Sequence, residues 1–109
     1  MKILKFGGTS VANAQNIKLV LDIVNVKAKE DKLVVVVSAF SKVTDLLHLA
    51  SIKAAANDES YKEIVAEIEK KHLDALKELI PVSEQSSLLS HIKRIINHLE
   101  TLLDGCFLL

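Results

Sequence analysis

Apolar positions recur along this chain with two distinct periods. Lys2 to Phe6 predicts a short strand. From Asn13 to about Glu30, Ile17, Val20, Leu21 and Val24 share one helical face, and Leu19, Ile23 and Val26 form a second apolar row. A helix apolar on two sides is expected to be buried on two sides. Leu33 to Val37 is one leucine followed by four valines, a strand pattern expected to be covered on both faces, as in a parallel sheet.

The second half of the chain reads as helical. Ser41 to about Ala56 carries a stripe of Val43, Leu46, Leu47, Ala50 and Ala54, with Ser41 or Thr44 available as its cap. Asn57-Asp58-Glu59 interrupts the pattern. Ser60-Tyr61-Lys62-Glu63 has the spacing of a capping box and opens a helix to about Leu79. After Pro81, a last helix runs from about Ser83 to Leu103. Its stripe is Leu88, Leu89, Ile92, Ile95, Ile96, Leu99, Leu102 and Leu103, and Gly105 is expected to stop it. Two such helices around one proline are expected to form an antiparallel hairpin.

Strand, helix and strand in succession predict a βαβ unit with a right-handed crossover. In parallel α/β sheets, ligands bind beyond the carboxyl ends of the strands. Gly7-Gly8-Thr9-Ser10 follows the first strand, and Ser38-Ala39-Phe40-Ser41 follows the second. If the strands are neighbours, the two polar loops open onto one edge and make one site.

Lys5-Phe6-Gly7-Gly8-Thr9-Ser10 is the stretch with chemistry in it. Adjacent glycines let a backbone turn sharply and approach a ligand closely, and such a loop can aim several N–H groups at one anion. Lys5 adds positive charge. The same features also fit an ordinary strand-to-helix turn. Neither GxxxxGK[ST] nor GxGxxG occurs, and the only glycines are Gly7, Gly8 and Gly105. These facts argue against a P-loop NTPase and a dinucleotide-binding domain.

Composition narrows the classes further. The 109 residues suffice for one small core. Fourteen Lys and Arg balance 14 Asp and Glu, so no basic excess points to nucleic acid or to a membrane surface. No apolar run approaches a bilayer span, and no secretory pattern opens the chain. The single cysteine, Cys106, has no partner for an internal disulfide. A cytoplasmic protein is expected. The apolar ending Gly105-Cys106-Phe107-Leu108-Leu109 predicts that the fold continues beyond Leu109.

Lys5-Phe6-Gly7-Gly8-Thr9-Ser10-Val11-Ala12 resembles the N-terminal signature of aspartokinases, in the amino-acid-kinase family. The longer stretch Met1 to Ala14 is most similar to bifunctional aspartokinase/homoserine dehydrogenases. A second family block matches at Val35-Val36-Val37-Ser38-Ala39, followed by Thr44-Asp45. The implied fold class is α/β, the N-terminal part of a carbamate-kinase-like αβα sandwich. Its parallel βαβ unit would span about residues 1–40 and its helical segment about residues 41–104. The adenine pocket and further substrate residues would lie beyond Leu109, so the chain alone is expected to be inactive.

The resemblance implies transfer of the γ-phosphoryl group of ATP to the side-chain carboxylate of L-aspartate. That carboxylate is ionised at neutral pH, so attack needs no general base. It needs two repelling anions positioned and their charge cancelled. Lys5 would be catalytic. Lys5, Gly7, Gly8, Thr9 and Ser10 would bind the ATP phosphates, and Ser38, Ala39 and Thr44 would line the aspartate pocket. ATP and Mg²⁺ are the implied cofactors, with NADP only if a homoserine dehydrogenase domain follows. A homo-oligomer is expected.

Each residue also has a plainer reading. Lys5 can be a solvent-facing strand lysine, Thr9 or Ser10 a helix cap, Ser38 a strand-end serine and Thr44 a cap. His48, His72, His91 and His98 lack metal-pair spacing, so no metal-ligating set is assigned. Glu63, Glu67, Asp74 and Glu78 fall on a solvated face. The rival functions are another amino-acid kinase, acting on glutamate, acetylglutamate, carbamate or a nucleotide, and a noncatalytic helical interaction module.

Overall fold

The computed structural model describes residues 1–109 as two compact units, Met1–Lys42 and Val43–Leu109. The first unit contains strand β1 (Lys2–Phe6), helix α1 (Ala14–Glu30) and strand β2 (Leu33–Val37). The strands pair in parallel, with Lys2 opposite Leu33 and Phe6 opposite Val37. The ladder is extended at both ends, by Lys2 N–H donating to the Lys32 carbonyl and Ser38 N–H to the Phe6 carbonyl. The N-terminal ammonium also pairs with Asp31, the residue that caps the end of α1, at 3.2 Å.

Burial in this unit falls short of what its apolar patterns predict. Val34, Val35, Val36 and Val37 are each at least 40% exposed, so β2 is not covered on both faces. On α1, only Ala14 and Val20 are buried, and Leu19, Leu21, Ile23 and Val26 remain exposed. The reason is geometric. Two strands and one helix offer too little surface to cover both faces of a sheet and two sides of a helix.

The second unit holds α2 (Val43–Ala55), α3 (Tyr61–Leu79) and α4 (Val82–Leu108), with α2 packed against both others. Its core is Val43, Ala50, Ala54, Tyr61, Ile64, Val65, Ile68, Ala75, Leu76, Ile96 and Leu103. The hairpin of α3 and α4 is antiparallel. Tyr61, at the start of α3, donates its hydroxyl proton to Asp104 near the end of α4, and its ring meets that of Phe107 with centroids 5.6 Å apart. Further along, Lys93 pairs with Glu69. Glu63, Glu67, Asp74 and Glu78 face solvent.

Three helix ends differ from expectation. Helix α2 opens at Val43, after Ser41 and just before Thr44. Gly105 does not stop α4, which continues to Leu108. A helical glycine costs about 1 kcal/mol, and the contacts of Asp104 and Phe107 with Tyr61 on either side of it favour continuation. The capping box also fails to form. Ser60 already has helical dihedrals (φ −65°, ψ −8°) and makes no side-chain cap bond. Asp58 Oδ1 instead accepts from Ser60 N–H at 2.9 Å. Before it, Asn57 adopts the left-handed conformation (φ 59°). Asp58 N–H returns to the Lys53 carbonyl and Asn57 N–H to that of Ala54, which closes α2 in a Schellman motif. No helix is long and apolar enough to cross a membrane.

Candidate functional site

The parallel pairing carries both polar loops to the same end of the sheet. Phe6 and Val37 are opposite one another, so Gly7-Gly8 and Ser38-Ala39 leave the strands side by side. Their approach is close. A Cβ built on Gly8 would stand 3.8 Å from Ser38 Oγ and 3.9 Å from the Ala39 carbonyl oxygen. A Cβ on Gly7 would meet nothing within 4 Å. Lys5, Gly7, Gly8, Thr9, Ser10, Ser38 and Ala39 thus share one edge of the first unit. Thr44 lies in the first turn of α2, in the second unit, where it is exposed.

The glycine loop is ordered without the device the sequence suggests. Neither Gly7 nor Gly8 has a positive φ. The turn is closed by Ser10 N–H donating to the Gly7 carbonyl at 3.1 Å, a bond open to any residue type. Steric need inside the chain therefore does not account for two glycines. What they leave is an uncovered backbone. The N–H groups of Gly7, Gly8 and Thr9 donate to no other group of the chain. Successive unengaged N–H groups of this kind form a concavity that suits an anion.

The plainer readings of these residues fare unevenly. Neither Thr9 nor Ser10 caps α1. Asn13 does, with extended dihedrals and its Oδ1 accepting from Asn16 N–H at 2.9 Å. The Thr9 and Ser10 hydroxyls are left for other partners. Lys5 is exposed on β1 and makes no ion pair, which fits both a surface lysine and a cation waiting for an anion. Ser38 is fixed through its backbone and keeps its hydroxyl uncommitted.

Two residues that pattern alone did not single out shape this loop. Asn16 Nδ2 donates to the Thr9 carbonyl at 2.9 Å, reaching back seven residues from the first turn of α1. Asn13 in turn holds Asn16 through its cap bond. An asparagine immediately before a helical apolar run is a recognisable cap signal, so Asn13 could have been found. Nothing in the spacing marks Asn16. Beside it lies a cavity of about 330 Å³, lined by Phe6, Thr9, Ser10, Asn16, Val20 and Ile23 among others.

Residues 1–103 match the model of the amino acid kinase family. The chain is 36% identical over 104 residues to bifunctional aspartokinase/homoserine dehydrogenase 2, chloroplastic, of Arabidopsis thaliana, a match covering 95% of this chain and 11% of that protein. It is 39% identical over 98 residues to the aspartokinase of Chlamydia pneumoniae, covering 90% of this chain and 21% of that protein. With the bifunctional aspartokinase/homoserine dehydrogenase of Buchnera aphidicola, identity is 30% over 112 residues, covering all of this chain and 14% of the relative. The chain therefore spans only about a tenth to a fifth of the length of these relatives. Since the family match runs through nearly every residue of both units, the chain belongs to the amino acid kinase family.

Proposed function

We propose that this chain supplies the phosphate-binding edge of an aspartate kinase, which moves the γ-phosphoryl group of ATP to the side-chain carboxylate of L-aspartate. The observation that carries the reading is the meeting of Gly8 with Ser38 and Ala39 at one sheet edge, beside three N–H groups with no partner in the chain. The relatives named as aspartokinases support the choice of substrate.

In this reading the Gly7, Gly8 and Thr9 amides receive phosphate oxygens, and the missing side chains at positions 7 and 8 let those oxygens come close. Lys5 neutralises charge as the phosphoryl group passes between donor and acceptor. Thr9 and Ser10 add hydroxyl donors. Ser38 and Ala39 line the side from which aspartate approaches. The acceptor carboxylate is already ionised, so the residues bind, orient and screen, and none has to remove a proton. Mg²⁺ enters with ATP as part of the substrate. NADP belongs to the proposal only if the polypeptide also carries a homoserine dehydrogenase region. A homo-oligomer is part of the proposal, and so is a cytoplasmic location, although the plant relatives are named as chloroplastic.

Amide chemical shifts of the full polypeptide, followed during titration with MgATP, test the phosphate site. The expected result is a saturable shift confined first to Gly7, Gly8, Thr9 and Ser38. Saturable ATP binding that leaves these four amides unmoved would overturn the assignment.

A further inference from the structure

We infer that Asn16 is a positioning residue for the glycine loop, holding the Thr9–Ser10 peptide so that the neighbouring N–H groups face an incoming phosphate. The inference rests on the phosphate-binding reading of the same loop. Its own evidence is a pair of bonds on a single peptide group. The Thr9 carbonyl accepts from Asn16 Nδ2 at 2.9 Å, and the Ser10 N–H on the other side of that peptide donates to the Gly7 carbonyl at 3.1 Å. Both polar ends of the Thr9–Ser10 peptide are therefore engaged, and the peptide cannot flip without losing two bonds.

The orientation matters because a carbonyl and an N–H act oppositely on an anion. A Thr9 carbonyl turned toward the phosphates would repel them; tied to Asn16, it is held on the helix side. Asn16 is a firm anchor. It sits in the first turn of α1, its backbone N–H is bonded to Asn13 Oδ1, and Val11 and Ala14 are buried on either side of the cap. Glycine loses more freedom on ordering than any other residue. A loop with Gly7 and Gly8 at its centre therefore gains most from being ordered before the ligand arrives.

The test compares wild type with Asn16→Ala and Asn16→Asp in the full polypeptide. Alanine removes the donor. Aspartate keeps the shape, removes the donor and adds a negative charge beside the Thr9 carbonyl. Backbone ¹⁵N relaxation without ligand reports loop order, and steady-state kinetics separate the KM for ATP from the KM for aspartate. The expected result for Asn16→Ala is increased mobility at Gly7, Gly8 and Thr9. Its ATP KM should rise about five- to tenfold, the loss of one hydrogen bond's worth of ordering, with the aspartate KM and Tm little changed. Asn16→Asp should be worse on both counts. A lowered Tm with unchanged loop order and unchanged ATP KM would make Asn16 a merely structural residue and overturn the inference. A loop that loosens in a protein that binds no ATP would overturn instead the phosphate reading on which the inference rests.

Discussion

Ser38 and Gly8 face each other across the end of the parallel ladder: Ser38 Oγ lies 3.8 Å from where a Gly8 Cβ would stand, and Ser38 N–H is bonded to the Phe6 carbonyl two residues before that glycine. This separation is ordinary van der Waals contact, and Gly8 does not use a left-handed φ. The fold thus tolerates a methyl group at position 8. A phosphate bound over that backbone, as proposed, would not.

Gly8→Ala separates the two. Stability should hold or rise, by up to about 1 kcal/mol, because alanine restricts the unfolded chain at a backbone conformation it can adopt. The ATP KM should rise about tenfold or more, as hydrogen bonds from the loop to a charged group are lengthened or lost. Thermal melting and kinetics on the same preparation check the pair. A variant that loses stability while keeping its ATP KM would mean that the glycine serves the fold.

The Tyr61–Asp104 bond joins the first turn of α3 to the last turns of α4, and it makes stability depend on alkaline pH. The Asp104 carboxylate accepts the Tyr61 hydroxyl proton and pushes the phenol up from its ordinary value of 10.0 to about 12. The folded state therefore holds this proton more tightly than the unfolded state does. Its contribution is complete below pH 10 and is lost as pH rises from there through about 12. Tyr61→Phe should lower Tm at neutral pH and remove that part of the alkaline decline. Identical alkaline profiles for the two proteins would show that the bond contributes nothing.

Asp58 acts in the opposite pH direction. Its carboxylate accepts from Ser60 N–H at 2.9 Å and pairs with Lys53 at 3.3 Å, and these contacts, the Ser60 amide foremost, hold it below its ordinary value of 3.8. A lowered carboxylate contributes stability above the unfolded value and loses it as pH falls through the folded one. Asp58→Ala should lower Tm at pH 7 and narrow its gap from wild type progressively below pH 3.8. A gap that stays constant down to strongly acidic pH would assign the effect to something other than the carboxylate charge.

The 109-residue chain by itself should not phosphorylate aspartate, whereas the full polypeptide should. The relatives named as aspartokinases are about five to nine times longer than the matched stretch, and the first unit leaves Val34 to Val37 exposed on its two-stranded sheet. Coupled ADP release with L-aspartate, measured for both proteins at equal concentration, checks this. Turnover by the short chain would show that its own residues suffice.

The sequence announced some of this more clearly than the rest. Both strands run between the residues their patterns indicate, and for β2 the reason is plain, because a β-branched run bounded by polar turns has few alternatives. From that followed the parallel pairing and the common edge of Gly7-Gly8 and Ser38-Ala39. Gly105 misled because local propensity was set against contacts made 43 residues away, from Asp104 to Tyr61. Ser60 misled because its capping-box spacing does not determine its dihedrals, and Asp58 had already taken its N–H. The apolar faces of α1 and β2 are written for more cover than their own unit provides. The bond from Asn16 to Thr9 was illegible, since a side chain reaching back seven residues follows no helical or strand period.

The most direct measurement is phosphotransfer by the full polypeptide with L-aspartate, glutamate and acetylglutamate as competing acceptors, for wild type and Lys5→Ala. The expected result is activity on aspartate alone, with kcat falling by about 100-fold or more in a Lys5→Ala protein that remains folded. Normal turnover in that variant would return Lys5 to an ordinary surface lysine. Activity on another acceptor would reassign the substrate, and no transfer to any of the three would contradict the kinase reading and favour a helical interaction module.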